Sequence, residues 1–112
     1  RRRLMDILCN YAGYRKCVPI LVFDAYRVKG AGREQETWHN LHVIYTREAE
    51  TADMFIERTT HELAKNHRVR VVSSDGAEQI IILGNGALRV SARAFEREVR
   101  AVEAEIREFL DQ

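Results

Sequence analysis

The chain has 112 residues, 46% of them hydrophobic and 31% charged, with a net charge of +1; this is one folded domain's worth of material and excludes a disordered or low-complexity segment. No apolar run approaches the ~20 residues of a membrane span and no signal-peptide pattern is present, so a cytoplasmic protein without a membrane partner is the expectation. The near-neutral balance hides an asymmetry, eight basic against two acidic side chains in residues 1–33 and ten against fifteen thereafter, which fits a protein that grips a phosphate backbone and holds cations near it, solvated helix faces being the plainer alternative.

The first element is a helix. Leu4, Ile7, Leu8 and Tyr11 form an apolar stripe that predicts a helix to about Lys16, ended near Gly13. Arg1, Arg2 and Arg3 lead into it with no start methionine and no N-cap, the pattern of a sequence cut inside or just before a helix. Val18 to Phe23 is a continuous apolar run, read as a strand covered on both faces, with Pro19 tolerated at its start. It stops at Asp24. Residues 25–40 read as a long connection carrying Arg27, Lys29 and Arg33 between Tyr26 and Trp38, and connections of that length are functional or mobile. Leu41 to Tyr45 is the second strand. Thr51 reads as the N-cap of a helix to about Asn66, with Ala52, Phe55, Ile56, Thr59 and Leu63 on one face.

Val69 to Ser73 is a third strand, followed at Asp75 by a turn. Glu78 to Leu83 reads as a short helix closed by Gly84-Asn85-Gly86, and Leu88 to Val90 as a brief last strand. Ser91 caps a final helix with a stripe of Phe95, Val99, Val102, Ile106 and Phe109 or Leu110. Helices alternating with strands in this order predict a doubly wound parallel sheet. Cys9 and Cys17 fall in or beside regular elements and read as buried thiols, not as a disulfide framework.

Open parallel sheets bind ligands at the carboxyl ends of their strands, and three acids fall there. Asp24 directly follows the first strand, and Asp75 follows the third after two serines. Asp53 lies in the first turn of the helix after the second strand, where the helix end favours an ionised carboxylate. Glu57, one turn on, shares that face and is a candidate outer ligand. Such a cluster suits one or two Mg²⁺ or Mn²⁺ ions and phosphodiester cleavage, in which no Cys, His or Ser nucleophile is needed. Taken singly, each acid is also an ordinary turn or helix-end residue. His61-Glu62 opens like a zinc-protease motif, but the next histidine is His67, not the i, i+4 partner the motif needs. His39 and His42 have no cysteine pair beside them and read as loop and strand residues. Gly84-Asn85-Gly86 is too short for a phosphate loop.

Val22-Phe23-Asp24-Ala25, Glu50-Thr51-Ala52-Asp53 with Ile56-Glu57, Val72-Ser73-Ser74-Asp75 with Glu78-Gln79, and Leu83-Gly84-Asn85-Gly86-Ala87-Leu88-Arg89-Val90-Ser91-Ala92 resemble, in this order and spacing, the YacP-like NYN domain family, a branch of the PIN-like nucleases. The resemblance runs from about Asp6 to Val99. It implies a single domain over 1–112, an α/β three-layer sandwich with a mainly parallel central sheet. It also implies a divalent-metal-dependent endoribonuclease, with bacterial members linked to mRNA turnover at the ribosome. Carried over by position, Asp24, Asp53 and Asp75 form the acidic site, Ser74 and Gln79 position substrate, and Arg89 and Ser91 are structural or RNA-contacting. Family members begin with a strand ending in Asp-Gly-Tyr-Asn. Nothing of that kind precedes Arg1, so the expectation is an N-terminally truncated domain with weakened metal binding and an open seam in the sheet that a partner chain could fill.

Three functions stand side by side. In the first, an RNA-cleaving hydrolase, Asp53 and Asp75 hold the metal and Asp24 supports it. Arg27, Lys29 and Arg33 guide the RNA backbone, and Trp38 or Tyr26 stacks on a base or packs the loop onto the sheet. The second is a non-catalytic RNA- or ribosome-binding module with an incomplete site. The third, a phosphate-receiving domain, is the weakest, because Lys65 lies in a helix and Lys29 in a loop.

Overall fold

A computed structural model describes residues 2–24, 35–39, 41–47, 50–73, 78–84 and 89–111. In chain order the elements are α1 (Arg2–Arg15), β1 (Val18–Phe23), β2 (Gln35–Trp38), β3 (Leu41–Tyr45), α2 (Ala52–Leu63), β4 (Val69–Ser73), β5 (Glu78–Leu83), β6 (Arg89–Ser91) and α3 (Ala92–Leu110). The strands form one sheet in the order β2-β3-β1-β5-β4-β6.

β1 pairs in parallel with β3, and β4 with β6, while β5 runs antiparallel to both β1 and β4, and β2 antiparallel to β3. Four strands therefore share one direction and β2 and β5 oppose it, so the sheet is mainly but not purely parallel. Pro19 lies in β1 opposite Ile82 of β5, and pairing with β3 starts only at Ile20. Its missing N–H falls where the β3 ladder has not begun.

Strand alternation sends the two halves of each strand to different layers. Leu21 and Phe23 of β1, Leu41, Val43 and Tyr45 of β3, Val72 of β4 and Ile80 and Ile82 of β5 pack against Met5, Leu8 and Tyr11 of α1 and Phe95, Val99 and Val102 of α3. Ile20, Val22, Val69, Val71 and Ile81 face the other way, onto Ala52 and Ile56 of α2. The result is the expected three-layer α/β sandwich, with α1 and α3 on one side and α2 on the other. Both capping predictions hold. Thr51 Oγ1 accepts the Met54 N–H and Ser91 Oγ accepts the Ala94 N–H, each at 3.1 Å, satisfying donors the helices leave open.

Four local expectations are corrected. Glu78–Leu83 is a strand and not a short helix: its run of three isoleucines is buried on both faces between β1 and β4, and a short apolar run has no period to separate the two. The 25–40 connection contains β2. No open seam divides the described strands, because β5 sits between β1 and β4 and pairs with both; the free edges are β2 and β6. Finally, α1 runs to Arg15, in keeping with the helix expected to about Lys16, but Lys16 and not Gly13 takes the left-handed position (φ 55°) that ends it. The Cys17 N–H then donates to the Ala12 carbonyl at 3.1 Å, the six-to-one bond of a Schellman ending.

One polar network crosses the α1/α3 side. The Tyr11 hydroxyl donates to Glu98 Oε2 at 3.0 Å, and Arg70 Nη1 reaches the same oxygen at 2.6 Å, joining α1, α3 and β4. Tyr11 is buried and stacks edge-on against Phe95, with ring centroids 5.1 Å apart. Burial, then the hydrogen bond to the Glu98 carboxylate, push its pKa up to about 12. Burial likewise raises the Cys17 thiol, which disfavours the reactive thiolate. No helix among the described residues is long and apolar enough to cross a membrane.

Candidate acidic site at the sheet edge

Because β1, β3 and β4 run the same way, their carboxyl ends lie along one edge of the sheet. At the end of β3 the Thr46 N–H, on a buried residue, donates to the Phe23 carbonyl at 3.0 Å, so the two strand ends stay in register as they leave the sheet. Phe23 and Tyr45 stack beneath them at 5.4 Å with nearly parallel rings. Phe23 belongs to the α1/α3 cluster, so alternation assigns the next residue, half-buried Asp24, to the α2 side.

The second carboxylate comes from α2. Thr51 starts that helix at the same edge, which sets Asp53 in its first turn, exposed to solvent. Gln79, the second residue of β5, pairs with Val22 of β1 and is buried, and its Nε2 donates to Asp53 Oδ1 at 2.5 Å. A buried amide spanning from sheet to helix therefore fixes one oxygen of Asp53. Val22 is two residues, roughly 7 Å of strand, before Asp24. The fold brings Asp24, Asp53 and Gln79 to one edge of the sheet.

The other expected residues divide. Glu57 lines a shallow groove on the outer surface of α2 with Glu50, Met54, Arg58, His61 and Glu62. Arg89 lies on β6, and its Nη1 donates to Ser73 Oγ at 3.3 Å, reaching the carboxyl end of β4. Trp38 ends β2 opposite Leu41, so its backbone stands at the far edge of the sheet from Asp24. Arg27, Lys29, Arg33, Ser74 and Asp75 lie outside the described residues, Asp75 two positions beyond the end of β4. Glu98 and Arg70, which fix α3 against the sheet, were not singled out by sequence reasoning. An arginine in a strand otherwise built of Val69, Val71 and Val72 was the available signal.

Among the described residues no group of three or more His, Cys, Asp or Glu side chains is placed to hold a metal ion. The donor chemistry of the edge still suits a hard divalent cation. Asp24 and Asp53 offer carboxylate oxygens only, and Mg²⁺ is held by one or two carboxylates while keeping several of its waters.

The profile of the YacP-like NYN domain family matches residues 1–112. The chain belongs to the YacP-like NYN domain family. It is also 42% identical over 104 residues to the uncharacterized protein YacP of Bacillus subtilis (strain 168), an alignment that covers 92% of this chain and 61% of that relative. The chain thus spans about three fifths of the length of the curated relative it matches. No solved structure matches it. Membership in an NYN family makes a PIN-like, nuclease-type, RNA-related function the coarse reading of the acidic edge.

Proposed function

We propose that the chain is a single NYN domain that cleaves RNA phosphodiesters internally, with Asp24, Asp53 and Asp75 as its acidic site and Mg²⁺ or Mn²⁺ as its cofactor. The observation that carries this reading is the Gln79–Asp53 bond, which ties the α2 carboxylate to the sheet two residues from Asp24. Asp53 and Asp75 would hold the ion, Asp24 would support it directly or through water, and Glu57 is the outer candidate. When bound, such an ion lowers the pKa of an attacking water and neutralises charge on the scissile phosphate. The residues supply the rest. Gln79 orients Asp53, and the carboxylates orient water. Arg89 and the 27–33 basic residues meet the RNA backbone, with Ser74 and Trp38 as further substrate contacts. Messenger RNA at the ribosome, in the cytoplasm, is the specific substrate setting we favour, on the family resemblance.

The test is cleavage of an end-labelled single-stranded RNA in Mn²⁺, with and without EDTA, by this chain and by Asp53→Asn. Internal cuts that vanish with EDTA and fall at least about a hundredfold in the variant support the proposal. RNA that is bound yet never cut turns the reading to a binding module.

A further inference from the structure

The sheet has a second edge, opposite the acidic one, and its chemistry is reversed. Helices α1 and α2 both end there, at the starts of β1 and β4, and β5 ends between them. Val18 and Val69 are both in register with Leu83, so the residues just outside them, Lys16 and Cys17 on one side and Arg68 on the other, flank Gly84. Two strand spacings separate β1 from β4, about 10 Å. Arg15, Lys16, His67 and Arg68 are all exposed. None of the four takes part in an ion pair among the described residues, whereas nearby Lys65 is held by Glu62 at 3.3 Å.

Basic residues at helix C-termini also complement the helix dipole, and that alone would account for Arg15. It does not account for Lys16. This residue occupies the left-handed position of the Schellman ending, where glycine is favoured and any side chain is strained. A charge sits at a site where the backbone selects against having a side chain at all. Between Lys16 and Arg68 the chain does the opposite: Gly84 (φ 91°) donates its N–H to the Arg68 carbonyl at 2.8 Å, and among the described residues nothing lies within 4 Å of where its Cβ would be. Among the described residues the edge is thus a glycine step flanked by two exposed cations. Glu105 and Glu108 of α3 act on Tyr14 at the end of α1. On the α2 side Glu62 is engaged by Lys65 at 3.3 Å.

We infer that this edge, centred on Lys16, Gly84 and Arg68, is an RNA backbone contact surface separate from the acidic edge. It holds phosphates on the far side of the sheet from the site of cleavage. The inference rests on the RNA reading above but not on catalysis.

Anisotropy of a fluorescein-labelled single-stranded RNA, titrated with the full chain in EDTA from 50 to 200 mM salt, tests it. Lys16→Gly and Arg68→Gln should each weaken binding roughly five- to tenfold at 50 mM salt and flatten the slope of log K against log salt by about 0.7. Lys16→Gly should do so while its melting temperature holds or rises, which separates lost contact from lost fold. A parent chain that binds RNA in EDTA but does not cut it in Mn²⁺ leaves this inference standing while the nuclease reading falls. Arg100→Gln, which removes an equal charge from α3, should leave affinity unchanged. Equal loss in Arg100→Gln, unchanged binding in the Lys16 and Arg68 variants, or no RNA binding by the parent chain overturns it.

Discussion

The two faces of the sheet are built differently. On the α1/α3 side the strands meet two helices, and the apolar cluster there runs from Met5 to Val102 and encloses the Tyr11–Glu98–Arg70 network. On the α2 side one helix covers a smaller cluster centred on Ile56, and the layer ends in Asp53, exposed and tied to the sheet by Gln79. Burying a large apolar side chain stabilises by roughly 1.5–3 kcal/mol, so the side with more such residues dominates stability. The lesson is a division of labour: one face holds the fold, and the thinner one can place a solvent-facing carboxylate at the strand ends.

The sharpest way to break this comparison is Leu8→Ala, at a fully buried position on the α1/α3 side. A loss of about 2–5 kcal/mol in urea unfolding is expected from the missing transfer energy and the cavity left behind. A loss under about 1 kcal/mol would show that this face does not carry the stability. Next comes pH. Tyr11 releases its proton near 10 when unfolded and at about 12 when folded, so the folded chain holds the proton more tightly. Its contribution is present below pH 10 and is lost as pH rises from about 10 to 12, an effect on the order of 3 kcal/mol. The same titration on Tyr11→Phe should lose this fall.

Glu98→Gln comes third. It leaves the largely buried Arg70 guanidinium without its counter-charge and should cost about 2 kcal/mol by urea unfolding, with the Tyr11 transition moving back toward 10. Lys16→Gly reverses the sign: relieving the left-handed strain should stabilise by about 1 kcal/mol in the same assay. Smallest in stability is Gln79→Leu, expected within about 1 kcal/mol because a similar apolar volume replaces the amide in an apolar strand. If Asp53 serves the proposed chemistry, this variant should nonetheless lower metal-dependent RNA cleavage about tenfold or more. A large stability loss with unchanged cleavage would undo the contrast between the faces.

Much of the fold was legible from residue patterns. The apolar run of β1, the Thr51 and Ser91 caps and the stripe of α3 each carry a period or a hydrogen-bonding residue that acts within a few positions. β2 carries no such mark, because Gln35-Glu36-Thr37-Trp38 has no apolar alternation. β5 was misread as a helix because Ile80, Ile81 and Ile82 are apolar on every face. The candidate site was partly legible. Asp24 and Asp53 stand out at a strand end and a helix start, but Gln79 as the residue holding Asp53 did not follow from spacing, since 26 positions separate them.

By itself the sequence determined the elements whose signals are local, the family to which they belong, and the identity of the acids at strand and helix ends, because caps, periods and turn residues act over one or two turns of chain. Only the tertiary structure decided that β5 inserts antiparallel between β1 and β4, that Glu98 joins Tyr11 to Arg70 across 87 and 28 positions, and that cations gather on the edge opposite the carboxylates. Those features depend on which distant segments share buried surface, and burial on both faces of a strand removes the periodicity from which its neighbours could have been read.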